Sequence, residues 1–250
     1  MKLAPLAQHL SVSFELAKKL FPLYLKLLVK FLPYPIAYTV LIFLSLKVSF
    51  FFGFLSLIAI IVMAVMSVRY NVSLIKGVAA VASGKEGDAD KLWMESKGYF
   101  WKMFFLSIVL ALVLGIGFML FVIPGLVLSV FLIFSLYILV LSDKNIFEAL
   151  GASMRLAKGS FWPVLLRIIV VAVVGIILNL PAQLFGSSMD FDAIKANPAA
   201  FSDMSVIYSS LLTPGFFLGM VYSFVAGFLL ICFGHAYLYL TYRELEKSQK

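Results

Sequence analysis

The groups able to do proton, thiol or metal chemistry are few and far apart, because the 250 residues include two histidines and one cysteine. His9 lies on what reads as a soluble tail, and His235 lies late in the last apolar run among Tyr237, Tyr239 and Tyr242. Two histidines without ligand spacing make no metal site, and His235 reads as an interfacial side chain. Cys232 sits inside an apolar run, which excludes a disulfide framework and a cysteine-held metal. No serine or cysteine has a His, Asp or Glu partner at membrane depth to act as its base. The acidic residues fall in loops and tails, and Gly84 to Gly87 lacks the following lysine and hydroxyl of a phosphate loop. The expected class is not an enzyme, with no cofactor and no metal.

What remains is basic. Arg155, Lys158 and Arg167 are expected to form a ledge at phosphate depth, where each charge contributes about 1 kcal/mol toward anionic lipid. A lipid-headgroup site is one reading of these three; ordinary anchoring by positive charge at a membrane face is the other, and the residues alone leave both open.

The elements that must position them are apolar runs. The chain is 63% apolar with a mean hydropathy of +1.08, against about half apolar in a soluble domain. Six runs are long enough to cross a bilayer: about 21–46, 50–75, 99–123, 125–141, 161–184 and 214–240. From Tyr99 to Leu141 there are two helix-lengths with one charge, Lys102, so the chain is expected to cross, turn at Pro124-Gly125 and cross back. The first run carries Lys26 and Lys30 and is broken by Pro22, Pro33 and Pro35. It is expected to span with a kink at Pro33 while both lysines snorkel. Glu15, Lys19, Lys26 and Lys30 fall near one helical face, so the alternative places Ser11 to Leu32 in the interface and starts the span near Pro35. Neither version resembles a cleaved signal peptide. The fold class is an all-α membrane protein, a single polytopic domain over 1–250 built from three hairpins.

Lysine and arginine collect before the first span, between the second and third, between the fourth and fifth, and after the sixth. Only Lys47 and Lys195 fall in the alternate loops. The positive-inside rule then puts both termini in the cytoplasm, and an even span count agrees. Asp190, Asp192 and Asp203 give the loop before the last span an outside character. The net charge of +8 is therefore mainly a topology signal, spread over four segments, and no nucleic-acid partner is expected. A multi-pass protein of a prokaryotic cytoplasmic membrane is the expected setting.

Between the fourth and fifth runs, Ile146, Phe147, Leu150, Met154 and Ala157 recur at helical spacing, with Glu148, Arg155 and Lys158 opposite. Asn145 and Glu148 have capping-box spacing and Gly159 is a natural stop, so an amphipathic helix is expected over 145–158. It either lies on the membrane or packs under the helices. A second short helix is expected over 88–97, with Asp88 and Asp90 at its positive end. Phe100, Trp101, Phe161 and Trp162 mark the water interface where the third and fifth spans begin. Gly215, Gly219, Ser223 and Gly227 form a small-residue stripe on the last span, and Ser107, Ala111 and Gly115 another on the third; both suit close helix packing.

Val122-Ile123-Pro124-Gly125, the run Asp143-Lys144-Asn145-Ile146-Phe147-Glu148-Ala149-Leu150, and Ser153-Met154-Arg155-Leu156-Ala157-Lys158-Gly159-Ser160-Phe161-Trp162 resemble an uncharacterised six-span inner-membrane family that includes YciC. The same segments are similar to the membrane domain fused to some glycerophosphodiester phosphodiesterases. The resemblance covers Phe121 to Pro163, implies the fold, and transfers no activity; the barrel that performs phosphodiester hydrolysis in the fused proteins has no counterpart here. The expected function is a non-enzymatic membrane protein that binds anionic lipid or a membrane-protein partner in envelope homeostasis. The alternatives are a passive translocator of lipid or small molecules, or a subunit of a membrane complex. Coupled transport is disfavoured, because Lys30 is the one ionisable group that falls near a midplane.

Overall fold

The computed structural model describes residues 4–186 and 214–249. The helices are α1 (Leu6–Phe31), α2 (Pro33–Lys47), α3 (Phe50–Ala82), α4 (Ala89–Glu95), α5 (Phe100–Leu120), α6 (Val122–Leu132), α7 (Ser135–Leu141), α8 (Ile146–Ala157), α9 (Phe161–Gly186) and α10 (Pro214–Ser248), with a 3-10 turn over Ser96–Tyr99. No strand occurs among the described residues. Six helical stretches are long and apolar enough to cross a membrane. Within them large side chains such as Phe43, Ile61, Leu112, Ile176 and Val221 point outward. Apolar surface on that scale is tolerated where lipid is the solvent. Residues 187–213, with Asp190, Asp192 and Asp203 and their expected outside character, lie outside the described residues.

The chain forms two compact units, one of residues up to Ile168 together with His235–Lys250, the other Ile169–Gly234. In the larger unit, Pro33 and Pro35 lack the N–H groups that would carry α1 onward, and the helix restarts as α2 after Leu32. At 33 residues α3 is about 50 Å long, more than a hydrocarbon layer requires. Its last third is accordingly buried by protein. Tyr24 of α1 donates its hydroxyl to the Leu74 carbonyl at 2.8 Å, and Phe31 stacks on Tyr70 at 5.0 Å. Lys30 pairs with Asp90 of α4. Asp88 caps α4 by accepting the Asp90 and Lys91 backbone N–H groups, which fulfils the expectation for that segment.

The hairpin between α5 and α6 forms one step earlier than the sequence suggests. Phe121, with extended backbone at φ −164°, is the turn residue, and Pro124 sits in the first turn of α6, where its missing N–H leaves no hydrogen bond unmade. Gly125 lies against the Phe118 ring, and a Cβ on Gly117 would stand 2.8 Å from Leu128 and 3.1 Å from the Gly125 Cα. Two facing glycines thus bring α5 and α6 together. Gly115, the last member of the stripe expected on this span, has open space around it.

The smaller unit is an antiparallel pair made by α9 beyond Ile168 and α10 before His235. Tyr222 donates to the Leu178 carbonyl at 2.9 Å, and a Cβ on Gly175 would stand 3.1 Å from the Leu230 side chain. Gly219 is buried, whereas Gly227 has nothing within 4 Å of where its side chain would be. On α9 the close approach in this pair is made by Gly175; of the stripe on α10, Gly219 is buried and Gly227 stands in open space.

Replacing Gly117 with leucine is expected to overfill the α5–α6 contact and lower stability by about 1–3 kcal/mol. Gly115→Leu should stay within about 0.5 kcal/mol of the parent. Thermal unfolding of the detergent-solubilised protein distinguishes them, and equal losses would mean the Gly117 contact contributes little.

Candidate functional site

Helix α8 begins with the reciprocal cap that its sequence encodes. The Asn145 side chain accepts the Glu148 N–H at 2.9 Å, and the Glu148 carboxylate accepts the Asn145 N–H at 3.3 Å. It ends at Gly159, whose φ of +86° is open to glycine and costly for a side chain. The face turned to protein consists of Ala149, Leu150, Ser153, Leu156 and Ala157. Small Ala149 and Ser153 allow a close approach, and the Ser153 hydroxyl donates to the Phe131 carbonyl of α6 at 2.7 Å.

That docking rotates α8 away from the orientation the periodicity suggests. Phe147 is 78% exposed and Met154 is also exposed, so the predicted apolar face is divided. Leu150 and Ala157 pack inward; Phe147 and Met154 point outward next to Arg155 and Lys158. Of the two alternatives for this helix, the structure shows the packing on protein, and that packing leaves an apolar outer edge. Neither Arg155 nor Lys158 makes an ion pair among the described residues. Trp162, at the start of α9, is 75% exposed.

Arg167 belongs elsewhere. It is 3% exposed, and its Nη2 donates to Glu244 at 2.9 Å and to the Ala4 carbonyl at 3.3 Å. The second oxygen of Glu244 takes the Nδ1 of His9 at 2.9 Å. The Nε2 of His9 lies 3.1 Å from the Thr241 hydroxyl, which itself donates to the Tyr237 carbonyl at 2.9 Å. The His9 ring packs edge-on to Tyr237 at 4.6 Å. Arg167 is thus a buried ion held by a carboxylate and does not stand on the ledge with Arg155 and Lys158. It lies two turns into α9, where that helix packs beside the end of α10.

His9 is correspondingly no part of a loose tail. It is 2% exposed, on the face of α1 that also carries Ser13, Leu16, Leu20, Tyr24 and Leu27. That spacing is the signal the sequence offers; the polar residues at its start hide it. Arg69, which the sequence groups with the basic loop after the second run, is also buried. It donates to the Trp93 carbonyl at 2.8 Å and lies 4.7 Å over the Trp93 ring.

A cleft of about 540 Å³ opens between the end of α3, α4 and the α7–α8 connection. Lys76 crosses its wall to Glu95 at 3.1 Å and sits 4.7 Å over the Tyr99 ring, while Lys102 reaches Asp143 at 2.7 Å. Asp143 adopts φ +47°, the left-handed region uncommon for a residue with a side chain. The hydrogen bond from Lys102 holds the Asp143 carboxyl below the usual carboxylate range. Among the described residues no three His, Cys, Asp or Glu side chains are placed to hold a metal.

These features define a multi-pass, all-α membrane protein in which Arg155 and Lys158 stay outward while Arg167 and His9 are tied down by a carboxylate of the same chain. Residues 33–245 match the model of a domain of unknown function, DUF7847, and the chain belongs to that family. No curated protein and no solved structure matches the chain.

Glu244→Gln leaves Arg167 buried without its counter-ion and should cost about 3 kcal/mol, somewhat less if water follows the partly exposed Glu244 side chain inward. Arg167→Met combined with Glu244→Gln should recover part of that loss in thermal unfolding, giving a positive coupling. For Asp143, the depressed folded-state value means that its stabilisation is present above the unfolded carboxylate range and is lost as pH falls through the folded value. Asp143→Asn should therefore lower the melting temperature near neutral pH, with an effect that shrinks as pH falls below the usual carboxylate range; a pH-independent difference would remove the ion pair as its cause.

Proposed function

We propose that this protein is a non-enzymatic component of a cell membrane, with both termini cytoplasmic, that binds anionic lipid on its inner face through α8. The observation that carries the reading is the outer edge of α8. Phe147 and Met154 are exposed apolar side chains beside two cations, Arg155 and Lys158, that pair with no carboxylate among the described residues. Such an edge suits the boundary between acyl chains and headgroups, with the apolar pair in the hydrocarbon margin and the guanidinium and ammonium at phosphate level. Trp162 at the same end of the fifth apolar run supports the depth assignment. The resemblance of Phe121 to Pro163 to the YciC-type inner-membrane family is consistent with this placement.

Arg167 is left out of the lipid contact because its donors are directed at Glu244 and Ala4. Two phosphate-level charges at about 1 kcal/mol each correspond to roughly a 30-fold difference in lipid affinity. Native mass spectrometry of gently extracted protein should detect retained anionic phospholipid, and Arg155→Gln with Lys158→Gln should remove most of it. Unchanged lipid retention in the variant overturns the proposal, and a co-eluting protein in place of lipid redirects it to a membrane-protein partner.

A further inference from the structure

The end of α1 and all of α2 lie antiparallel along α3 as one arm of a hairpin. Leu32 keeps helical backbone, its N–H donating to the Leu28 carbonyl at 2.8 Å and its carbonyl accepting the Ile36 N–H at 3.3 Å. The Tyr24 bond to Leu74, the Phe31–Tyr70 stack and the place of Gly53 beside the Ser45 side chain set the register of the two arms. That register brings Ala37 level with Ala59, and the two short side chains leave a hollow between the arms. A groove of about 310 Å³ opens there, walled by Tyr34, Ala37 and Leu41 of α2 and by Leu55, Ala59 and Val62 of α3.

Spread over the roughly 10 Å of helix from Tyr34 to Leu41, that volume is a channel about 6 Å across. A helix with its side chains is about 10–12 Å wide and does not enter it; a single acyl chain does. The apolar walls offer a hydrated solute no polar partner. At about 100° per residue, Lys26, Lys30, Tyr34, Ala37 and Leu41 fall within about 80° of one another, so the two lysines lead into the groove along one flank. Counted back from Lys47, the last residue of α2, Lys30 and Lys26 lie about 25 Å and about 32 Å along the helix, on either side of a hydrocarbon thickness of about 30 Å. On the other arm Arg69 stands about 29 Å from the start of α3 and bonds the Trp93 carbonyl of α4, which puts α4 at the same level. Lys26 makes no ion pair among the described residues. Lys30 gives one of its three donors to Asp90, whose side chain is mostly exposed.

We propose that this flank of the hairpin is a binding site for one membrane phospholipid with an anionic headgroup, an acyl chain lying between Ala37 and Ala59 and the phosphate held by Lys26 and Lys30. The groove supplies the hydrocarbon half of the ligand and the lysines the charged half, in the order and at the spacing in which a phospholipid carries them. An excess cation at Lys26 makes the preferred headgroup anionic rather than zwitterionic. The site goes beyond the α8 reading and stands without it, because it shares no residue with α8.

Photolabelling tests it on the full chain in phosphatidylcholine vesicles that contain a trace of phosphatidylglycerol with a diazirine midway along one acyl chain. After irradiation, peptide mass spectrometry locates the label. The site gives labelling of 34–41 and 55–62 several-fold above that of α5, whose outward Leu112 and Ile116 meet bulk lipid. Unlabelled phosphatidylglycerol suppresses the excess at lower concentration than phosphatidylcholine does, and Lys26→Gln reduces that advantage about fivefold. Ala59→Leu fills the groove and removes the excess. Ala37→Leu repeats the filling from the opposite wall, so that misfolding of one variant leaves the other to decide. The same pattern is expected in an Arg155→Gln, Lys158→Gln background, which separates failure of this site from failure of the α8 reading. Even labelling of α2, α3 and α5 would overturn the proposal, as would equal suppression by the two lipids. A dimer in native mass spectrometry that Ala59→Leu dissociates would give the groove to a second copy and overturn it equally.

Discussion

Glu244 accepts from two side chains that arrive from opposite parts of the chain, Arg167 at the beginning of α9 and His9 near the start of α1. A buried guanidinium without a carboxylate is costly, whereas one paired and hydrogen-bonded is tolerated. Glu244 is therefore a constraint on three segments at once: the N-terminal helix, the base of the fifth apolar segment and the tail of the last helix. Thr241 and the Tyr237 carbonyl complete the His9 side of the cluster from the same face of α10. Hydrophobic burial alone would leave α1 free to slide or rotate along its neighbours; these directional bonds fix its register.

Two solvents account for how the rest is distributed. In lipid, helix association gains little from removing apolar side chains from their surroundings, and close backbone approach carries more of the specificity. Gly117 against Gly125 and Gly175 against Leu230 are contacts of that kind. At the end where the basic loops gather, polar side chains are buried and satisfied instead: Ser73 bonds the Arg69 and Leu92 carbonyls, Ser153 the Phe131 carbonyl, and Arg69 the Trp93 carbonyl. The layer made by α1, the end of α3, α4, α7, α8 and the end of α10 thus resembles a small water-soluble core attached to lipid-solvated helices. Stability in the two parts responds to different perturbations, volume changes in one and loss of hydrogen-bond partners in the other.

The membrane helices are legible in the sequence because the property that defines them, an apolar run of sufficient length, is written directly in composition. The cap and stop of α8 are also legible, since Asn145, Glu148 and Gly159 act on neighbours within a turn. Which face α8 turns inward is not, because Ala149 and Ser153 win that contest by being small, and hydropathy periodicity gives more weight to Phe147 and Met154. Arg167 escapes a sequence reading for a related reason. Its partner is Glu244, distant in sequence, and no local pattern distinguishes a lysine or arginine that faces phosphate from one that faces a buried carboxylate. Pro124-Gly125 suggests the α5–α6 turn because those residues break helices in isolation; in the first turn of α6 they start one.

The tie between His9 and Glu244 has a consequence for how the protein is made. α1 is synthesised well before the residue that fixes it, since 235 positions separate His9 from Glu244. Until α10 is in place, His9 lacks its partners on that helix, and only the later part of α1, where Tyr24 and Phe31 meet α3, is held. Completion of this layer therefore waits for α10, and a chain stalled before Thr241 would carry its apolar helices with the polar layer still open.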